Sequence, residues 1–357
     1  MINRCGVSLG ASAIIDRNTG ADISGAPVSK PTAVTRWGIL GLGNIAKAFA
    51  QGLAHAPGAR LMACASRDGA KAQAFGEQWK IPRRHPSYEA LARDPQVDAV
   101  YVATPHPMHR EACLLCIEHG KAVLCEKPMG ISAKDEAIVI DAARKKGVLL
   151  MEALWSRFLP HVIQAKALAA SGAIGEPRLL QADFGFRCGG DPASRLMDPA
   201  LAGGGLLDVG IYPVSLAHLF FGKPVDARAT AHLGATGVDE QAGMLLRFGG
   251  GELAVLSCAV RTNSPQEALL LGTAGSLRLH APWWRPSRLT LSQPGKDPVV
   301  IEPPHAGNGY SHEAMEFAHC LALGLKESPL LPLSESLSVM ETLDTLRDQI
   351  GLRYPME

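Results

Sequence analysis

Short apolar runs alternate with helical patterns over the first half of the chain. Five apolar runs predict strands, at residues 37–40, 61–65, 99–103, 122–124 and 148–151. Apolar residues at helical spacing predict helices that end near residue 55 and that cover 69–79, 87–92, 108–119 and 133–146. Strands that alternate with helices form parallel sheets with helices on both faces, so this half predicts a doubly wound α/β domain.

The pattern changes after residue 152. Strand-like segments, separated by turns rich in glycine or proline, are at residues 177–186, 225–233, 243–248, 252–260, 267–271 and 276–279. Helical patterns are at residues 160–170, 206–221, 310–325 and 334–350. Strands that follow one another through short turns pair mostly antiparallel. The fold class is therefore α/β, with a C-terminal α+β domain built on a large, mostly antiparallel sheet.

These patterns divide the chain into three regions. Residues 1–35 show no clear period and predict an N-terminal arm. Residues 36–152 carry the doubly wound domain, and residues 153–357 carry the second domain. We expect the two last helices to pack back against the first domain.

Composition and charge favour an enzyme that acts on small molecules. The formal net charge is +1 over 357 residues, so there is no electrostatic basis for binding nucleic acid or an acidic membrane surface. No apolar run approaches the roughly 20 residues needed to span a bilayer, and we expect a soluble protein.

The eight cysteines are scattered, mostly within apolar segments. This distribution favours buried thiols in a cytoplasmic protein. A periplasmic location is the alternative, because Arg4 and the apolar residues after it faintly resemble an export signal. Cys113 and Cys116 form a C-x-x-C pair without a second pair, so we expect no metal site.

A glycine-rich turn follows the first predicted strand, in the sequence Gly41-Leu42-Gly43-Asn44-Ile45-Ala46. Gly41 permits the tight turn, Gly43 lets a pyrophosphate approach the main chain, and Ala46 lets the helix lie close to the sheet. The phosphates would bind the free N–H groups where the helix begins, so Asn44 and Ile45 belong to the expected cofactor site. The turn predicts a dinucleotide-binding Rossmann domain, and a glycine turn in another α/β protein is the alternative.

The end of the second predicted strand indicates which dinucleotide is bound. An NAD site usually has a carboxylate there for the ribose 2′-hydroxyl, whereas Ser66 and Arg67 suit a 2′-phosphate. Lys71, one helical turn beyond Arg67, adds a second cation. We therefore predict NADP, and Asp68 is the residue that argues for NAD.

Two later strands end in polar residues at the same edge of the predicted sheet. One is followed by Thr104-Pro105-His106 and the next ends at Glu126-Lys127-Pro128. Ligands of open α/β sheets bind at this edge, so we expect both segments near the nicotinamide end of the cofactor. Pro128 raises the chance of a cis bond before it and would hold Lys127 in one orientation. The alternative is a surface lysine at an ordinary strand end.

These motifs together resemble the Gfo/Idh/MocA superfamily of oxidoreductases. The resemblance covers nearly everything after residue 36 and rests on the glycine turn, Ala103-Thr104-Pro105, Glu126-Lys127-Pro128 and residues 203–213. Residues 151–158 and Asn308-Gly309-Tyr310 are similar to the branch that holds dihydrodiol dehydrogenases, NADP-dependent xylose dehydrogenases and aldose oxidoreductases. Many superfamily members have a histidine where this chain has Tyr212.

The resemblance implies that Lys127, Asp208 and Tyr212 form the catalytic group, that the Lys127–Pro128 bond is cis, and that the protein is a homodimer. A neutral tyrosine with a pKa of about 10 is a poor base at neutral pH, and a nearby ammonium favours the phenolate. We expect Tyr212 to be the general acid/base and Lys127 to lower its pKa and bind the reacting oxygen. Asp208 would orient the substrate or the lysine. The alternatives are a core tyrosine and a carboxylate that binds first-turn N–H groups.

Aromatic residues are the expected walls of a substrate pocket, because a flat apolar surface stacks against the C–H face of a sugar or diol ring. The candidates are Trp155, Phe184 and Trp284, with core packing as the alternative for each. Arg157 and Arg195 are candidates for binding hydroxyls, or are solvated surface residues. Tyr310 resembles a cofactor-proximal tyrosine of this branch. Beyond the glycine turn and the 2′-phosphate residues, the expected cofactor contacts are Thr104, Pro105, His109, Glu126, Lys127, Trp155, Arg157 and Tyr310.

The expected function is NADP-dependent oxidation of an aldose, such as glucose or xylose, at C1 to the lactone. If the cofactor stays bound, a second sugar would be the acceptor, and residues 1–35 would fold over the adenosine as the resemblance to glucose-fructose oxidoreductases implies. Dehydrogenation of trans-1,2-dihydrodiols is the alternative that uses the same groups. A non-catalytic regulator that binds a dinucleotide is an alternative of a different class.

Overall fold

The structure is a computed structural model and describes residues 34–285 and 287–356. In these ranges the chain forms two sheets with helices packed on them. The N-terminal arm was expected to fold over the cofactor. Residues 1–33 of this arm lie outside the described ranges, so the expectation stays a prediction.

Six parallel strands form the first sheet, in the order β3-β2-β1-β4-β5-β6. The strands are β1 (Thr35–Leu40), β2 (Ala59–Ala65), β3 (Arg83–His85), β4 (Ala99–Val102), β5 (Ala122–Glu126) and β6 (Leu150–Ala153). The helices among them are α1 (Asn44–Leu53), α2 (Gly69–Gln78), α3 (Tyr88–Ala92), α4 (His109–Glu118) and α5 (Ala133–Lys146). The strand order reverses between β1 and β4, so the sheet is doubly wound as predicted and has its crevice there. The apolar pattern missed β3 because its three residues, Arg-Arg-His, are all polar.

Eight strands form the second sheet, in the order β14-β13-β12-β11-β7-β10-β9-β8. The strands are β7 (Pro177–Gly185), β8 (Asp226–Leu233), β9 (Asp239–Arg247), β10 (Leu253–Ala259), β11 (Ala268–Gly272), β12 (Gly275–Leu279), β13 (Leu289–Ser292) and β14 (Val299–Ile301). β7 and β10 are parallel and the other neighbours are antiparallel, which confirms the mostly antiparallel sheet. β13 and β14 were not predicted from the sequence, because they have only four and three residues.

Four long helices follow the last strand of the first sheet along the chain: α6 (Pro160–Ala170), α7 (Ile211–Phe221), α8 (Tyr310–Ala322) and α9 (Leu333–Gln349). The sequence predicts one α-helix over 206–221, but Leu206–Gly210 form a π-helical turn that leads into α7. A π-turn is wider than an α-turn and recurs at functional sites. The stretch Pro199–Phe221 is long and apolar enough to cross a membrane, yet 89% of its most apolar window is buried inside the protein, as in a core helix.

The C-terminal helices lie against helices of the first sheet. Asn308, just before α8, donates its Nδ2–H to the main-chain oxygen of Ala48 on α1 at 2.8 Å. Arg347 on α9 donates to the main-chain oxygen of Ile131 at 3.1 Å. Buried residues of both sheets form one continuous cluster. The domain boundaries near residues 36 and 153 stay a prediction.

The cysteines of the described residues are thiols, as expected. All seven in the described residues are free, and six of them are buried. Buried thiols behave as small apolar side chains, so these residues serve packing.

Candidate active site

The glycine-rich turn joins β1 to α1 at the crevice between β1 and β4. Gly41 has a φ of +90°, and a Cβ at this position would lie 2.8 Å from the main-chain carbon of Ala103. A Cβ at Gly43 would meet no atom within 4 Å. The helix begins without a side-chain cap and without an acidic residue in its first turn. The turn therefore offers free N–H groups and open space, which fits the pyrophosphate of a dinucleotide.

The residues that follow β2 line the same cavity, as expected for the adenosine end of the cofactor. The Asp68 carboxylate is the N-cap of α2, where its Oδ1 accepts the N–H groups of Ala70 at 2.9 Å and Lys71 at 3.2 Å. Arg67 and Lys71 are exposed, and neither is in an ion pair within residues 34–285 and 287–356. Asp68 is thus occupied by the helix, while both cations are available to a ligand.

His109 connects the segments that follow β4 and β5. Its Nδ1 lies 2.7 Å from the main-chain oxygen of Pro128, and its Nε2 lies 2.7 Å from that of Thr104. Burial lowers the pKa of His109 to about 4, so the ring is neutral at pH 7 and donates to one of these carbonyls. The ring lines the cavity, but both nitrogens face the main chain. Its predicted role in binding the cofactor is therefore indirect, through the position of the two segments.

Glu126 ends β5 with its carboxyl group buried in the cavity wall. The Tyr101 hydroxyl donates to Oε1, and the main-chain N–H of Lys127 donates to Oε2 at 3.2 Å. Burial raises the pKa of Glu126 to about 7, against the opposing effect of the Lys127 charge. Glu126 therefore gains or loses a proton near neutral pH, next to the lysine.

Lys127 reaches from the first sheet to the π-turn of the second domain. Its Nζ lies 2.5 Å from the main-chain oxygen of Asp208, 3.7 Å from Asp208 Oδ1, and 4.9 Å from the centre of the Tyr212 ring. The Lys127–Pro128 bond is cis, as the resemblance implies. The structure thus brings together the three residues predicted to be catalytic.

Asp208 lies among positive charges. Arg195 donates to its Oδ1 at 2.8 Å, and His106 Nε2 lies 3.9 Å from the same oxygen. Burial alone would raise the pKa of Asp208, but the charges of Lys127 and Arg195 outweigh it and hold the pKa well below its usual value. The carboxylate is ionised at neutral pH and fixes the lysine and the arginine beside the cavity.

Tyr212, on the first turn of α7, lines the cavity with its hydroxyl group bound to a tryptophan. Trp155 Nε1 donates to the Tyr212 oxygen at 2.8 Å. Burial, together with the charge of Glu126, raises the pKa of Tyr212 well above its usual value. Lys127 lies over the ring face and does not bind the hydroxyl. The expected lowering of the Tyr212 pKa by Lys127 is therefore not found, because burial dominates.

Aromatic rings form one wall of the cavity. Phe184 and Trp284 stack with centroids 4.2 Å apart and an angle of 9°, and Phe184 also packs on Tyr212 at 5.2 Å. Trp155 stacks on Tyr310 at 4.4 Å and 8°, behind Tyr212. Of the predicted substrate contacts, Phe184, Trp284 and Tyr212 line the cavity, whereas Trp155 does not. Tyr310, a predicted cofactor contact, is also outside the lining.

Arg157 was predicted to bind the cofactor, but the structure does not bring it to the cavity. Its guanidinium group forms an ion pair with Glu335 at 2.7 Å and donates to the hydroxyl of Ser215 at 3.0 Å. The side chain is almost completely buried, so these partners satisfy a charge in the protein interior. The predicted contact is corrected to a structural ion pair between the segment after β6 and α9. Ala46 is also outside the cavity lining, consistent with its role in packing α1 on the sheet.

The cavity has a volume of about 1020 Å³ and extends from the glycine turn to the aromatic wall. Its lining includes residues that were not selected from the sequence, which are Leu42, Tyr88, Ala103, Phe186, Val209 and Arg285. Ala103 lies within the recognised motif Ala103-Thr104-Pro105. Leu42 and Val209 lie within motifs that were recognised, so their positions could have been inferred. The other three carry no sequence signal, since they come from segments without a motif.

The sequence matches two family descriptions. Residues 35–154 match "Oxidoreductase family, NAD-binding Rossmann fold", and residues 162–278 match "GFO/IDH/MocA C-terminal domain". Trans-1,2-dihydrobenzene-1,2-diol dehydrogenase of Mus musculus is 39% identical over 334 residues, covering 90% of this chain and 98% of the relative. The enzyme of the same name from Homo sapiens is 37% identical over 331 residues, with coverage of 90% and 98%.

Solved structures show the same relationship. An aldose-aldose oxidoreductase from Caulobacter crescentus, complexed with glycerol, has a TM-score of 0.81 and 29% identity, covering 89% of this chain and 98% of its own. A 3-ketoreductase from Actinomadura kijaniata, in complex with NADP and TDP-benzene, has a TM-score of 0.79 and 26% identity, with coverage of 89% and 98%. The chain therefore belongs to the Gfo/Idh/MocA family of oxidoreductases, which confirms the resemblance and the expectation of an enzyme that uses a nicotinamide cofactor.

Proposed function

We propose that the protein oxidises one hydroxyl group of a ring that carries neighbouring hydroxyls, with NADP⁺ as the hydride acceptor. The observation that carries this proposal is the convergence of Lys127, Asp208 and Tyr212 on the cavity that begins at the glycine turn. A ligand-binding wall of aromatic rings lies beside these groups. A cavity of about 1020 Å³ is larger than most single-ligand pockets of roughly 300–1,000 Å³, which fits a dinucleotide with a second small molecule.

Oxidation of a CH–OH group removes a hydride from carbon and a proton from oxygen. When bound, the nicotinamide cofactor supplies the acceptor for the hydride. The Tyr212 oxygen accepts a hydrogen bond from Trp155, and among the described residues no acceptor holds its own proton. That proton is available to the reacting oxygen, so Tyr212 is the proposed general acid/base. Its raised pKa keeps the hydroxyl protonated at neutral pH, whereas oxidation needs the phenolate as the base, so oxidation should be faster at high pH and carbonyl reduction at lower pH.

Lys127 and Asp208 have positioning and electrostatic roles in this scheme. The Lys127 ammonium lies beside the Tyr212 ring and can bind the reacting oxygen as negative charge develops on it. The Asp208 carboxylate and main-chain oxygen both face Lys127 Nζ, so they fix its position. This arrangement supports catalysis over a purely regulatory role, since a regulator needs no such group beside the nicotinamide end.

NADP is the proposed form of the cofactor. Arg67 and Lys71 lie on the cavity without ion-pair partners in the part of the chain that the structure describes, and two cations suit a 2′-phosphate. Asp68, the carboxylate that would favour NAD, caps α2. Ser66 also lines the cavity, and its Oγ accepts the main-chain N–H of Asp68 at 3.1 Å.

A trans-1,2-diol on a six-membered carbocycle is the substrate that we place first. The wall formed by Phe184, Tyr212 and Trp284 suits an apolar ring face, and relatives at 37–39% identity are named trans-1,2-dihydrobenzene-1,2-diol dehydrogenases. Oxidation of an aldose at C1, which the sequence analysis placed first, is the second candidate. The structural likeness to an aldose-aldose oxidoreductase supports it, and both substrates present a ring with adjacent hydroxyls.

The test is a steady-state assay with purified protein, NADP⁺ or NAD⁺, and two substrate panels, trans-1,2-dihydrodiols and aldoses. The bound nucleotide, if any, is released by denaturation and identified by mass. We expect reduction of NADP⁺ with at least one panel, and higher kcat/KM for the trans-diols. Turnover of neither panel, in oxidation or in reduction of the corresponding ketones and lactones, would overturn the proposal.

We also propose that the protein is a homodimer through the open face of the second sheet. Leu245 on β9 and Val255 on β10 are direct neighbours and are 46% and 47% exposed, and Leu253 is 38% exposed on the same strand. Adjacent exposed apolar side chains on a sheet favour a protein–protein contact. Light scattering should give the dimer mass for the wild type and the monomer mass for Leu245→Asp. A monomeric wild type would contradict the proposal.

A further inference from the structure

The cavity lining carries more cationic side chains than carboxyl groups. The positive side chains are Arg67, Lys71, Lys127, Arg195 and Arg285, and the carboxyl groups are Asp68, Glu126 and Asp208. The first two cations follow β2, at the end of the cavity where we propose that the adenosine binds. The cations at the other end of the cavity are therefore Lys127, Arg195 and Arg285.

The ionised carboxylate of Asp208 is close to two of these three cations. Asp208 Oδ1 accepts from Arg195 at 2.8 Å and lies 3.7 Å from Lys127 Nζ. Glu126, which titrates near neutral pH, is already bound to Tyr101 and to the main-chain N–H of Lys127. Neither carboxyl group is paired with Arg285.

Arg285 has an aromatic partner and no acidic one. Its Cζ lies 4.7 Å from the centre of the Trp284 ring, and no ion pair involves it within the described ranges, 34–285 and 287–356. Trp284 in turn stacks on Phe184 and lies 6.4 Å from Tyr212 between ring centres. The exposed guanidinium group of Arg285 therefore lies on the cavity beside Trp284, a ring of the same aromatic wall as Tyr212.

We propose that Arg285 binds a carboxylate of the substrate, so that the preferred substrate is a hydroxylated ring that bears an acid group away from the reacting carbon. This inference rests on the proposed function and narrows its substrate class to uronic acids or to dihydrodiols of aromatic acids. The planar guanidinium group matches a carboxylate with two parallel hydrogen bonds. An anionic substrate also balances the positive charge that Lys127, Arg195 and Arg285 bring to the cavity beyond the single carboxylate of Asp208.

Matched substrate pairs that differ by the carboxylate test the inference. One pair is glucose and glucuronate, and the other is trans-cyclohexane-1,2-diol and trans-4,5-dihydroxycyclohexane-1-carboxylate. With NADP⁺ we expect kcat/KM to be about tenfold or more higher for the acid in at least one pair, mainly through a lower KM. The pair that shows the preference distinguishes a sugar acid from a diol acid.

Arg285→Gln should reduce that preference to about onefold, through the KM of the acid. Arg60→Gln is the matched control, because Arg60 is exposed at the start of β2, at the sheet edge opposite the cavity. The control should keep the wild-type preference. Equal kcat/KM for both members of each pair, or a preference that survives Arg285→Gln, would overturn the inference while leaving the proposed function intact.

If no substrate is turned over, the proposed function is wrong. The affinities of the acid and the neutral compound then test whether Arg285 binds a carboxylate. Calorimetric titration of the same pairs into protein saturated with NADP⁺ should show tighter binding of the acid, with the difference lost in Arg285→Gln. Equal binding of acid and neutral compound by the wild type would overturn the inference.

Discussion

The indole N–H of Trp155 donates a hydrogen bond of 2.8 Å to the phenolic oxygen of Tyr212. Trp155 was predicted to contact cofactor and substrate, but it lies behind the tyrosine and is stacked on Tyr310. Because the tyrosine oxygen already accepts a hydrogen bond, its own proton is free to face the cavity. The tryptophan therefore acts on the proposed chemistry by orienting the phenol.

Tyr212→Phe should lower kcat by about 10²-fold or more, because it removes the proposed proton donor while keeping the ring in the aromatic wall. The affinity for NADP should change little, since the cofactor site is built from other segments. Stopped-flow or steady-state rates, together with a nucleotide titration, check both statements. Wild-type turnover in this variant would show that Tyr212 has no role in proton transfer.

Trp155→Phe should shift the pH profile of oxidation towards higher pH. The hydrogen bond from Trp155 opposes the burial that raises the pKa of Tyr212, so its loss should raise that pKa further. The measurement is kcat/KM for oxidation as a function of pH. Trp79→Phe is the control, since the Trp79 Nε1 has no hydrogen-bond partner in the described structure. An unchanged pH profile in Trp155→Phe would show that this hydrogen bond does not influence proton transfer by Tyr212.

Arg67→Ala and Lys71→Ala should each weaken NADP binding by about tenfold or more, because hydrogen bonds to charged groups contribute about 1.5–3 kcal/mol. NAD lacks the 2′-phosphate, so its affinity should stay nearly constant. Fluorescence titration with both nucleotides gives the ratio. Lys134→Ala, at an exposed position on α5, is the control. If wild-type protein binds NAD more tightly than NADP, the cofactor assignment is wrong.

The buried carboxyl group of Asp239 should make the free energy of unfolding depend on pH. Its carboxyl group is fully buried, with Oδ2 accepting the N–H of Leu206 at 2.6 Å where the π-turn begins. Burial raises the pKa of Asp239 to about 7, so the folded state holds the proton more tightly than the unfolded state does. The stabilisation that is present below about pH 4 is therefore lost as the pH rises to about 7, with a magnitude on the order of 4 kcal/mol.

Asp239→Asn should flatten this part of the curve, since the amide mimics the protonated acid. Urea unfolding between about pH 4 and about pH 8 gives the free energy of unfolding for both proteins. Asp297→Asn, at an exposed position, is the surface control. The same slope in Asp239→Asn and wild type would assign the pH dependence to other groups.

The amino-acid sequence by itself determined the order of the main elements and the place of the nucleotide turn. α5 and α6 begin and end at the predicted residues, because helical periodicity is a local property. The glycine turn was recognisable for the same reason, since Gly41 and Gly43 act through their own backbone. Lys127, Asp208 and Tyr212 were selected through family resemblance, and the structure brings them together.

Only the tertiary structure decided how the charges and buried groups are partnered. Arg195 forms an ion pair with Asp208, whereas Arg157 forms one with Glu335, which is distant in the sequence. The raised pKa of Tyr212 could not be inferred from the sequence either. It results from burial of the ring, which depends on how distant segments pack around it. Local patterns report neighbours within a few residues, but ion pairs and desolvation arise between segments that are distant in the sequence, so folding alone sets them.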